Sequence, residues 1–196
     1  MKLPTTARYK GKRILDIFLI FLSTIIFFIP MVLIFLIVRT SSNGEALYWS
    51  KRIGYGGSEF MMPKFRTMKK DTPVVATDLL NKPEIYITKI GSFLRKTSLD
   101  ELPQIWSVIK GDMSFVGPRP ALFNQNELIL FRCEHGINQL LPGITGWAQV
   151  NGRDELSIEA KVIYDAEYLQ RQSLRFDLKI IGLTITRVLR SQGVSH

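Results

Sequence analysis

The hydrophobic pattern divides the chain sharply. Residues 17–38, IFLIFLSTIIFFIPMVLIFLIV, carry no charge at all, whereas the rest mixes apolar and polar positions as a water-facing domain does. As a helix, such a segment reaches roughly 33 Å against a hydrocarbon core of about 30 Å, so its length permits a membrane span. It is too long for a signal-peptide core and lacks a small-residue cleavage site after it. Pro30 sits inside and removes a helical hydrogen bond. Basic residues flank both sides: Lys10, Lys12 and Arg13 before, Arg39, Lys51 and Arg52 after. The charge asymmetry that orients a simple span is therefore weak. Two readings stand on these residues alone: a kinked span, and a re-entrant helix broken at Pro30 that leaves on the side it entered.

Beyond the apolar segment the pattern predicts short strands and several helices. Residues 46–49 and 60–68 read as strands around a Gly54–Gly57 turn, and 69–87 as a loop. Residues 90–96 fit a short helix or strand. Ser98 to Lys110 reads as a helix, with Ser98 and Glu101 at capping-box spacing and Gly111 as its stop. Residues 113–116 form a strand running into Gly117-Pro118-Arg119-Pro120. Then come a helix over 122–140, a turn at 142–146, a strand over 147–150 and a turn carrying Arg153. Helices over 155–170 and 174–190 close the chain. The last puts Leu174, Leu178, Ile181, Ile185 and Val188 on one face, with Arg175, Lys179, Arg187 and Arg190 beside them. Such a helix suits a membrane surface or the domain's own core.

Together these elements describe an α+β protein, mainly helical with short strands. Residues 1–40 make the membrane-embedded part with its basic flank. Residues 41–196 make a single domain with amphipathic helices that suit a membrane surface or the domain's own core. No repeat or second linker-bounded domain interrupts it.

Composition narrows the partners. The 196-residue chain has a net charge of +9, with +4 in residues 1–38 and +5 in the remainder. A basic chain with an apolar anchor favours anionic lipid or phosphorylated ligands. It carries no zinc-finger, RNA-recognition or basic-tail pattern, so nucleic acid is not the expected partner. The single cysteine, Cys133, excludes an intrachain disulfide and a thiolate metal site, and reads as a buried structural thiol in a reducing compartment. His135 and His196 have no metal spacing.

The candidate chemistry lies in residues 95–120, RKTSLDELPQIWSVIKGDMSFVGPRP. Asp100 and Glu101 stand side by side at an expected helix start. Acids there complement the helix dipole for structural reasons alone. The same dipole and free amides favour an ionised carboxylate and welcome an anion. An ionised carboxylate attacks phosphorus or holds a divalent cation. Adjacent helical positions diverge, so the two acids take distinct roles. Arg119, between Pro118 and Pro120, is a fixed guanidinium with phosphate-matching geometry. Lys64, Arg66, Arg95 and Arg153 are further phosphate candidates.

Five blocks resemble a known family: KRILD before the apolar segment, FRTM, SLDELPQIWSVIKGDMSFVGPRP, LPGITGWAQVNGR, and the Tyr164–Asp177 stretch. They are similar to the bacterial monotopic phosphoglycosyl transferases over about residues 12–194. The resemblance implies transfer of a sugar-1-phosphate from a UDP-sugar to a polyprenol (undecaprenyl) phosphate, with release of UMP. It implies two steps through a phosphosugar-aspartyl intermediate, Asp100 as nucleophile with Glu101 beside it, and Mg²⁺ near Asp100. It assigns Pro118, Arg119 and Pro120 to the nucleotide. It also implies a re-entrant helix broken at a proline, placing the catalytic domain on the cytoplasmic face of the bacterial inner membrane. The family carries a small polar residue before that proline, whereas here Ile29 precedes Pro30. The donor sugar, the glycan pathway and the oligomeric state, a homo-oligomer included, stay open.

Overall fold

The computed structural model describes residues 11–41, 44–73, 82–152 and 155–189. The apolar segment forms α1, Lys12–Ser41, and the helix is unbroken with Pro30 inside it. One stripe of α1, at helical spacing, is buried or half-buried and includes Lys12, Asp16, Ile20, Phe27, Ile34 and Val38. The other faces expose Phe18, Phe21, Ile25, Phe28, Ile29 and Leu33. Helix α1 is long and apolar enough to cross a membrane, yet it lies against the domain along one side. Near its start, Ile20 packs against the cluster of Met62, Val108 and Met113. Near its end, Ile34 and Val38 pack with Ala46, Phe65 and Leu94.

Two cations of the basic flank serve the fold instead of facing lipid. Lys12 Nζ pairs with Asp177 at 2.5 Å and donates to the Val116 carbonyl at 2.8 Å. Arg13 donates to the carbonyls of Val108 and Ile109 at 2.7 and 3.0 Å. Those carbonyls end a short helix, where a cation complements the dipole. The flank residues 1–10 lie outside the described residues.

Strands β1 (Leu47–Ile53) and β2 (Glu59–Phe65) form an antiparallel hairpin, closed by a tight turn in which Gly56 and Gly57 take positive φ. Helix α2 (Lys89–Lys96) is capped by Thr88, whose hydroxyl accepts from the Gly91 amide at 3.0 Å. The helix expected over 98–110 divides in two. Residues Leu99–Gln104 wind as a 3₁₀ turn, and only Ile105–Lys110, α3, is α-helical. Ser98 has φ 56° and makes no side-chain cap, so the expected capping box is absent. Pro103 lacks the amide that α-helical continuation would use.

Strand β3 (Ser114–Val116) pairs in parallel with β4 (Gly143–Thr145). The second of these falls where the sequence pattern indicated a turn, and the strand expected over 147–150 is instead a turn with a 3₁₀ segment, Gln149–Asn151. Glycine permits this displacement. A Cβ on Gly143 would meet the Gly117 amide nitrogen at 2.1 Å, so the two chains approach more closely than side chains allow. Helix α4 is shorter than expected, Asn126–Glu134, ending before Gly136 at positive φ. Helices α5 (Ile158–Arg171) and α6 (Leu174–Leu189) match the expected pattern within a few residues. The main core gathers Val116, Leu128, Ile137, Val162, Tyr168 and Ile180 around β3. Phe176, Asp177 and Ile180 of α6 face this core, while Leu174, Leu178, Ile185 and Val188 are exposed. Cys133 is exposed, not buried, because α4 turns its Leu128 face inward.

Candidate active site

Asp100 and Glu101 lie on the 3₁₀ turn between α2 and α3, and both are buried. Glu101 is held by two cations: its Oε1 accepts from Lys64 Nζ at 2.8 Å and from Arg119 Nη2 at 3.1 Å. Lys64 comes from β2 and Arg119 from the turn after β3, so the turn, the hairpin and the Pro-Arg-Pro segment meet at one carboxylate. This bridge divides the roles of the two acids. Glu101 is occupied by cations, whereas no ion pair to Asp100 is seen among the described residues.

Burial raises the Asp100 carboxyl above its ordinary value of 3.8; Lys64 pulls the other way, Glu101 adds to the rise, and Arg95 and Arg119 oppose it. The dipole of a helix start was expected to keep Asp100 ionised. A 3₁₀ turn aligns few peptides, and desolvation of the charged form outweighs what remains. Burial likewise lowers Lys64, outweighing the attraction of Glu101. A phosphate-bearing ligand brings negative charge that favours the protonated lysine and arginines.

The Pro-Arg-Pro turn is pinned at each carbonyl. Pro118 accepts from the Gly143 amide at 2.8 Å, Arg119 from Arg132 Nη1 at 2.7 Å and Pro120 from Arg52 Nη1 at 3.0 Å. Arg132 is in turn fixed by Asp165, which accepts from its Nε and Nη2 at 3.0 and 2.6 Å. The expected rigidity of Arg119 is therefore supplied by three backbone contacts as well as by the prolines. Arg52, Arg132 and Asp165 carry this support, and no local sequence pattern singles them out.

Of the other phosphate candidates, Arg95 acts electrostatically on Asp100. Arg66 does not join the Glu101 bridge: its guanidinium occupies the space over Gly44, where a Cβ would meet Nη1 at 2.2 Å. Arg153 lies outside the described residues. Beside Glu101 opens a cavity of roughly 330 Å³, walled mainly by apolar side chains from α1, the 3₁₀ turn, β4 and α6.

Asp100 also bears on a divalent cation. Among the described residues no group of three or more acidic, histidine or cysteine side chains forms a metal cage. Magnesium typically takes one or two carboxylates and completes its shell with water and substrate phosphates. One carboxylate, Asp100, fits that demand, whereas Glu101 Oε1 already faces two cations.

A buried acid pair, with Glu101 bridged to Lys64 and Arg119, lies in an α+β domain that carries a long exposed apolar helix. The chain belongs to the bacterial sugar transferase family, which matches residues 7–191, and this is the phosphoglycosyl transferase class anticipated from the five blocks. It is 44% identical over 160 residues to a UDP-glucose:undecaprenyl-phosphate glucose-1-phosphate transferase of Xanthomonas campestris pv. campestris, covering 78% of this chain and 33% of that protein. It is 35% identical to a UDP-galactose-lipid carrier transferase of Erwinia amylovora, over 88% of this chain and 39% of the relative. It is 36% identical to the exopolysaccharide production protein ExoY of Sinorhizobium fredii, over 93% of this chain and 87% of the relative. The chain thus spans only about a third of the Xanthomonas protein's length.

Proposed function

We propose that this protein transfers a sugar-1-phosphate from a UDP-sugar to undecaprenyl phosphate, releasing UMP and starting a lipid-linked glycan. One observation supports the reading above others: the buried Asp100 lies next to a Glu101 that is already bridged to Lys64 and Arg119. In the first step an Asp100 oxygen attacks the β-phosphorus and the P–O–P bond breaks, so that UMP leaves. In the second, a phosphate oxygen of the polyprenyl acceptor attacks the same phosphorus. The Asp100 carboxylate is released and a polyprenyl diphosphate sugar forms. Splitting the transfer suits two substrates that share no solvent. Arg119, with Lys64 behind the same carboxylate, offsets negative charge on the diphosphate, and the pinned turn holds it in place. Mg²⁺ held by Asp100 and substrate oxygens would neutralise the same charge. Names of relatives include both glucose and galactose donors, so donor choice needs a panel. Purified protein with undecaprenyl phosphate, Mg²⁺ and a range of UDP-sugars is expected to release UMP with one of them. Release of free sugar phosphate without a lipid product would instead make the protein a hydrolase.

The raised carboxyl of Asp100 gives this mechanism a pH signature. The nucleophile must be ionised, so UMP release is expected to rise with pH along an acid limb set by the Asp100 carboxyl. Glu101→Gln removes a repulsion and leaves Lys64 and Arg119 to attract Asp100. That limb is then expected to move to lower pH even as the maximal rate falls. An unmoved limb would assign it to another group.

The membrane arrangement belongs to the same proposal: α1, unbroken at Pro30, is embedded on the cytoplasmic face of the inner membrane with both of its ends on that side. Its support is the stripe along α1 that stays against the domain from Lys12 to Val38, because a helix crossing the bilayer would part from a water-facing domain. The exposed apolar residues of α6 extend the same lipid-facing character. Cysteines placed at Lys2 and Lys51 in a Cys133→Ser background are expected to label from one side of sealed vesicles. The background change is needed because Cys133 is exposed. Labelling from opposite sides would establish a simple span.

A further inference from the structure

One wall of the cavity beside Glu101 is built from the apolar helix α1. Ser23 and Phe27, from the middle of the apolar helix, face Thr184, Arg187 and Val188 of α6 across it. Leu102, Ile105, Phe115 and Ile144 complete an apolar lining, and Lys96 and Arg187 supply positive charge. Its volume of roughly 330 Å³ falls within the range of about 300–1,000 Å³ typical of ligand pockets. Among the described residues neither the Lys96 nor the Arg187 side chain has a hydrogen-bond or ion-pair partner. Lys96 is exposed and Arg187 half-buried, so both charges can meet an anion at the mouth of this apolar groove, and an anion with a hydrocarbon body suits both features. Glu101 does not oppose it, since its charge is bridged by Lys64 and Arg119. A water-soluble sugar nucleotide has no use for a wall built from the membrane helix.

We propose that this groove seats the polyprenyl phosphate acceptor, with Lys96 and Arg187 holding its phosphate and the first isoprene units lying between Phe27 and Val188. The inference rests on the function proposed above and deepens it by assigning the acceptor a place distinct from the Pro118–Pro120 turn. The occupant is reached from the bilayer, passing between α1 and α6. The groove is lined by Glu101, the sequence neighbour of the acid proposed to carry the sugar phosphate.

The test is the split between the two substrates. Lys96→Ala/Arg187→Ala is expected to raise KM for undecaprenyl phosphate about tenfold or more, the scale of lost charge-assisted hydrogen bonds, while KM for the UDP-sugar changes less than twofold. Arg187→Lys should restore most of the loss. Independently of turnover, a benzophenone-bearing polyprenyl phosphate in micelles should crosslink to peptides of α1 and α6, and undecaprenyl phosphate should compete. An unchanged acceptor KM, crosslinks on another face, or equal competition by phosphatidylglycerol would each overturn the assignment. Absence of UMP release from every UDP-sugar would instead remove the proposed reaction, and the crosslink would still decide who occupies the groove.

Discussion

Asp100→Asn is expected to abolish UMP release, by at least about 10³-fold, while making the protein more resistant to heat. The two effects have one cause. Asparagine keeps the shape of the side chain but offers no anionic oxygen to phosphorus, so the covalent step has no nucleophile. It also removes a carboxylate that the fold desolvates, shown by the raised carboxyl. The sign follows from linkage. The folded state binds the Asp100 proton more tightly than the unfolded chain does. Its contribution to stability is complete below the ordinary carboxylate value and is lost as pH rises through the raised one. At neutral pH the wild type therefore bears a penalty that Asp100→Asn lacks. The rise in Tm should shrink as the pH is lowered toward 3.8. Activity that survives the substitution would remove Asp100 as nucleophile. Lost activity with a lowered Tm would point to a structural role.

That opposition between stability and chemistry was half legible in the sequence. Glu101, Arg119 and Lys64 are brought together because buried charges need partners. The reason given for Asp100's charge was wrong in kind. A helix start was expected, but Pro103 and the left-handed Ser98 leave a 3₁₀ turn, and local spacing does not reveal how much water the folded chain removes. The β3–β4 pair was hidden for a related reason. Its Gly143 and Gly117 read as turn residues, yet here their missing side chains let two backbones touch. Helix α6 and the β1–β2 hairpin were readable because their periodicities are set locally. The supports of the Arg119 turn were not, since Arg132 and Asp165 meet only when α4 packs on α5.

The longest such contact supports the second large effect. Lys12→Met is expected to destabilise the domain by about 3–5 kcal/mol, the usual cost of removing one partner from a buried ion pair. Lys12 begins α1 and reaches Asp177 in α6 at 2.5 Å, and Tyr168 donates to the same carboxylate at 2.8 Å. Both Lys12 and Asp177 are buried, at 5% and 0% exposure, so methionine deprives the carboxylate of Lys12's charge where water cannot replace it. Lys12 also holds the carbonyl of Val116, the last residue of β3, directly before the turn that carries Arg119. Loosening it should therefore weaken UDP-sugar binding as well as stability, in a way that a purely lipid-facing lysine would not. Pairing Lys12→Met with Asp177→Leu removes both charges and should recover part of the stability, giving a coupling energy well above the 0–1 kcal/mol or so of a surface pair. Thermal unfolding of the two single variants and the double variant in one detergent measures it. Additive losses would mean that Lys12 acts through lipid and not through Asp177. A large coupling would make the start of the membrane helix a structural part of the active site, fixed to the strand that presents its arginine.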